Sequence, residues 1–143
     1  MSWLPLALLT AVAFALYNVF IKLGSGRIHD VLGAVVLQVA AVLLGGGFAI
    51  ALHLGGHRLA WSKSGLVYAV LAGLAVGLAE ILTFVVFAKG APVSLATPVI
   101  LGGSILGAAV IGAVVLRESM GAAQLLGVAL IVAGVALISK MGH

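Results

Sequence analysis

A chain of 143 residues has the length of one domain, yet 64% of it is hydrophobic and 7% charged, against about 45–50% and about 25% in soluble globular proteins. Too few polar residues are present to build a soluble surface, so the composition excludes a soluble fold and leaves an integral membrane protein. The net charge of +4 comes from Lys and Arg set singly between apolar runs, which is the pattern of membrane flanks rather than of a nucleic-acid patch, and the lack of Cys removes disulfides and thiolate metal sites.

A spanning helix needs roughly 20 mostly apolar residues, and five segments qualify. The first is Trp3 to Lys22. No Lys or Arg precedes it and it exceeds the usual h-region of about 7–15 residues, so it reads as a span and not as a signal peptide. At about 3.6 residues per turn, Ala7, Ala11, Phe14, Ala15, Asn18 and Lys22 share one face. Leu9, Val12, Leu16, Val19 and Phe20 share the other. Asn18 and Lys22 are therefore expected to look inward. The second segment, Val31 to Leu54, has Gln38 as its one interior polar side chain. Asn18 and Gln38 are expected to hydrogen-bond between helices.

The third segment, Ser64 to Phe87, holds the stretch "GLAVGLAEILTFVVF", in which Glu80 stands alone among small and apolar residues. Gly73, Val76, Gly77, Thr83, Phe84 and Phe87 fall on its face, and Leu74, Ala75, Leu78, Leu82, Val85 and Val86 on the opposite one. The aliphatic face belongs in lipid and the Glu80 face beside a cavity or another helix. The fourth segment, Pro92 to Leu116, places Ser94, Pro98 and Gly102 together with Thr97 adjacent. Pro98 is expected to loosen its first turns. The fifth runs from Gly121 to Ile138.

The 20 glycines lie mostly inside these runs, where they let helix backbones approach closely. Gly103 with Gly107, and Gly127 with Gly134, are expected to mark helix or dimer packing faces. Trp3, Tyr17, Trp61 and Tyr68 lie near span ends and read as interface anchors. His53, His57 and His143 read as solvated, and Glu118 as exposed or capping.

Five spans put the termini on opposite sides. Arg58, Lys63 and Arg117 then face Lys22, Arg27, Lys89 and Lys140, three against four. The Lys/Arg asymmetry that normally sets orientation is nearly absent. Two readings stay open: the first loop fixes one orientation, or the chain inserts both ways and pairs with an inverted copy.

An ionisable residue within a span is a functional-site hypothesis by default. A charged carboxylate is costly there, so Glu80 is suited to trading a proton for a cationic or hydrogen-bonding substrate. The alternative is a structural ion pair with Lys22: the two lie about 9 Å apart along parallel helices at about 1.5 Å per residue, within reach of two long side chains.

The strings "FALYNVFIKLG", "AKGAPVSLATPVI" and "VVLRESMGAAQLLGVALIVAGVALI" resemble the drug/metabolite transporter superfamily, specifically a single EamA-like five-helix half. "GVALIVAGV" is similar to the final, dimer-forming helix of small multidrug resistance transporters. The resemblance implies an all-α integral membrane protein, one half of an inverted-repeat transporter. It implies a multi-pass subunit in the cell (inner or plasma) membrane, moving a small metabolite or drug-like solute by alternating access. Proton-coupled export as an antiparallel homodimer follows, since inverted repeats make sense of dual insertion.

Glu80, Asn18, Lys22, Thr83, Phe84 and Thr97 would line the cavity, with lipid and a small-molecule substrate as partners and no metal, cofactor or nucleic acid. One departure stands. Small multidrug resistance proteins keep their essential acid in the first helix, where this chain has the region of Phe14. A non-transporting membrane scaffold pairing through its glycine faces is the competing class. An enzyme is not expected, because no Ser–His or carboxylate pair stands at catalytic spacing.

Overall fold

The computed structural model describes residues 3–141; His143 lies outside them. Five helices follow one another: α1 Trp3–Gly24, α2 Asp30–Leu54, α3 Lys63–Ala88, α4 Val93–Val114 and α5 Ala122–Met141. Each is long and apolar enough to cross a membrane, and no strand forms among the described residues. In lipid the backbone must satisfy itself, and a helix does so within one segment.

The helix ends follow local chemistry. α2 closes in a Schellman arrangement, with Gly56 left-handed at φ 79. The Gly56 and His57 amides donate to the carbonyls of His53 and Leu52, both at 3.0 Å. Ser62 caps α3 by accepting from the Gly65 amide at 3.1 Å. At the start of α5 the Gln124 side chain reaches back to accept from the Gly121 amide at 2.7 Å, half of a capping box.

α4 stops at Val114, short of the expected Leu116. There the chain departs from helical bonding: Leu116 donates to Ile111 at 3.2 Å, Glu118 donates to Gly112 at 3.0 Å, and Arg117 takes the left-handed conformation at φ 55. α4 runs on through Pro98, its sixth residue, at the cost of the one amide that would bond the Ser94 carbonyl.

The chain divides into two compact units, Met1–Gly90 and Ala91–His143. In the first, α3 packs against both α2 and α1. The end of α1 binds the end of α3: Lys22 Nζ donates to the Phe87 carbonyl at 3.3 Å and Ser25 Oγ to the Phe84 carbonyl at 2.8 Å. These two helices therefore run the same way. The start of α2 meets the same end of α3 at Gly33 and Phe84, so α2 runs against both. The second unit is the pair α4 and α5. A Cβ on Gly102 would strike the Val135 side chain and lie 3.7 Å from Ile131 Cγ2.

Candidate functional site

The site grows from the periodicity of α3. Its buried residues are Glu80, Thr83, Phe84 and Phe87, at i, i+3, i+4 and i+7, one stripe of a helix. Leu74, Leu78 and Leu82 are exposed behind it. Glu80 is 6% exposed, and Gln38 Nε2 donates to its Oε2 at 2.9 Å. Gly77 faces the same amide: a Cβ there would lie 3.4 Å from the Gln38 nitrogen, in van der Waals contact. Beyond it opens an apolar groove of about 570 Å³ between α2 and α3, with Ala34, Gln38, Gly73, Gly77 and Ile81 among its lining.

Phe84 is the packing centre. A Cβ on Gly33 would lie 2.7 Å from its ring, so only glycine lets α2 pass there. The same ring borders a second recess of about 370 Å³ with Tyr17, Ile21, Gly24 and Leu37 among its walls. Lys22 lies 5.7 Å from the Phe87 ring centroid, within cation–π range, besides bonding the Phe87 carbonyl. A cation at a helix C-terminus also meets the negative end of its dipole.

The remaining expected residues fall as follows. Asn18 is buried at 3% exposure, but its Nδ2 donates to Phe14 O at 2.8 Å in its own helix. The interhelical bond expected of it is replaced by an intrahelical one, because the i−4 carbonyl is the nearest acceptor. Thr83 does the same, donating to Ala79 O at 2.7 Å. Thr97 stands on α4, in the second unit, and its buried hydroxyl has no hydrogen-bond partner among the described residues. Nothing in the α4–α5 pair comes within 4 Å of a Cβ built on Gly103, Gly107, Gly127 or Gly134. The close approach falls on Gly102 instead.

Two residues of the site escaped the sequence reading. Tyr17, expected as an interface anchor, is half-buried, stacks edge-on with Phe14 at 6.0 Å and borders the recess beside Phe84. Its position next to Asn18 was the available signal. Ser25, in the first loop, latches the end of α3, and nothing in its sequence context distinguishes it from a solvated loop serine.

Chemically, a carboxyl held by an amide donor inside a span can carry a proton, or accept a hydrogen bond from a solute that displaces Gln38. Five apolar helices, with such a group buried in the first unit, define a polytopic helical membrane protein with an internal polar site. The chain matches the family model of the EamA-like transporter family over residues 1–140. It belongs to that family of membrane transporters, as the resemblance to the drug/metabolite transporter superfamily implied. No curated protein and no solved structure matches it.

Proposed function

We propose that this chain moves a small metabolite or drug-like solute out of the cell by alternating access, driven by proton exchange at Glu80. The observation that carries this reading is the Gln38–Glu80 bond at 2.9 Å within the spans. An intramembrane acid is costly and is retained where it serves a pathway or a relay. Here its partner is a neutral amide that a substrate can replace. In the empty state Glu80 carries the proton; substrate entry releases it. Asn18, Lys22, Thr83 and Phe84 line the same route within the first unit, Thr97 is proposed as a substrate contact of the second, and the membrane is the cell's inner or plasma membrane.

The functional unit in this reading is an antiparallel homodimer. Two features support it: the Lys/Arg count of three against four, and the open glycines at 103, 107, 127 and 134. Those glycines favour close contact with another chain. They also favour the second reading, a non-transporting scaffold.

One experiment separates the two. Proteoliposomes under an imposed pH gradient are challenged with a panel of amino acids and organic cations, for the natural chain, Glu80→Gln and Glu80→Leu. The proposal expects gradient-driven flux that both variants lose. Retained gradient-driven uptake by Glu80→Gln sinks the proton role. A chain that moves none of the panel, and whose assembly tolerates Glu80→Leu, is a scaffold.

A further inference from the structure

We propose that the α2–α3 turn is a binding site for the phosphate headgroup of an anionic phospholipid. Between Asp30 and Glu80 the chain contains no acid at all, and its cations there, Arg58 and Lys63, fall within six positions of each other beside His53 and His57. The first and last turns carry their own counter-charge, Arg27 being followed by Asp30 and Arg117 by Glu118, and the α3–α4 turn has Lys89 as its one charged residue. The α2–α3 turn is a concentration of donors with no acid to neutralise it.

The backbone gathers three of these donors, His53, His57 and Arg58, and Lys63 stands at the start of α3. The left-handed Gly56 turns the chain back on α2, and the His57 ring comes to 3.6 Å from the Cβ position of Gly55. His53, Gly56, His57, Arg58 and Leu59 then surround one recess of about 490 Å³. Arg presents a planar fork suited to phosphate oxygens, and a histidine offers an N–H in either protonation state. Directly after it in the chain comes a second recess, of about 500 Å³, lined by Ala60, Trp61, Ser62, Gly65, Leu66 and Ala69. A cationic recess beside an apolar one fits a molecule with an anionic head and an acyl tail.

The fold sets both at headgroup level. The turn joins two membrane-spanning helices, and Trp61 is 77% and Tyr68 72% exposed, as amphipathic rings at the interface are. A free phosphate would use only the first recess. A lipid uses both, and this decides the occupant.

The test uses Trp61 as the reporter. The chain has two tryptophans, so Trp3→Phe leaves Trp61 alone. This chain is reconstituted in phosphatidylcholine vesicles containing brominated phosphatidylglycerol or brominated phosphatidylcholine. Quenching should favour the anionic lipid by about fivefold for each basic side chain engaged. Arg58→Gln and Lys63→Gln should each reduce the preference, and the double variant should remove it.

Equal quenching by the two lipids overturns the site, as does a preference that survives in the double variant. Loss of the preference on adding inorganic phosphate, at matched ionic strength, assigns the recess to a free anion and overturns the lipid. Should the double variant fail to fold, salt decides in the Trp3→Phe chain. The preference should fall as ionic strength rises from about 0.1 M to about 1 M, and one that persists at the higher value overturns the proposal.

Discussion

Gln38 on α2 donates its side-chain amide to the Glu80 carboxyl on α3 at 2.9 Å, across a seam where Gly77 faces the same amide. The bond joins two helices that also meet where Gly33 lies against the Phe84 ring. It also decides what happens to an acid in a low-dielectric site. With the amide present, one carboxyl oxygen is satisfied; without it, that oxygen has to find a proton, a water or a solute.

That pair is separable by a double-mutant cycle. Gln38→Leu and Glu80→Leu should each lower stability, and together they should cost less than the sum. Interhelical hydrogen bonds in membranes average about 0.6 kcal/mol and reach about 1.7, and the burial of Glu80 puts this one within that range. A coupling of about 1 kcal/mol, measured by reversible unfolding in mixed micelles, is expected. Strict additivity would mean that the bond contributes nothing to holding α2 on α3.

Packing at Phe84 gives a sharper contrast. At Gly33 a new methyl lands 2.7 Å from the ring, whereas at Gly46 nothing lies within 4 Å. Gly33→Ala should destabilise by about 1–3 kcal/mol, the usual cost of overpacking. Gly46→Ala should be neutral or stabilising by up to about 1 kcal/mol, because Ala is the better helix former. The order of the two midpoints in the same unfolding assay is the readout, and a reversed order would mean that the ring is free to swing away.

The second unit allows the same comparison one residue apart. Gly102→Ala drives a methyl into Val135, while Gly103→Ala meets open space. The first should loosen the α4–α5 pair by about 1–3 kcal/mol, and the second should leave the monomer's stability unchanged or raise it by up to about 1 kcal/mol. If Gly103 is a contact between chains, Gly103→Ala should instead weaken self-association, seen as a shift towards monomer on crosslinking in membranes.

These contrasts show where the sequence is legible. The stripe of Glu80, Thr83, Phe84 and Phe87 is readable because one helix face follows from one periodicity. Five spans are readable because lipid demands long apolar runs. What periodicity cannot supply is the register between helices. Gln38 was visible as a lone polar residue, but its pairing with Glu80 depends on how far α2 slides along α3.

The same limit hid the glycines. Gly103 and Gly107 have the right spacing, yet the approach is made by Gly102, because spacing names a face and not its occupant. The inward face expected along all of α1 is only partly realised. Asn18 and Ile21 are buried, while Phe14 remains 50% exposed, since α1 engages α3 at their shared C-terminal end.

The last prediction concerns insertion. With Lys and Arg at three against four across the two sides, the balance that sets orientation is close to neutral, so a few charges should tip it. Adding two Lys to the α2–α3 turn should fix one orientation, and adding two at the C-terminal end of α5 should fix the other. Labelling of both termini in intact cells and in inverted vesicles measures this directly.

If the working unit pairs two inverted copies, each biased variant alone should lose transport and the two expressed together should regain it. Regain on mixing is a result that a monomer or a parallel dimer cannot produce. Full activity from one biased variant by itself would show that inverted pairing is dispensable, and the Glu80 site would then have to be completed within a single orientation.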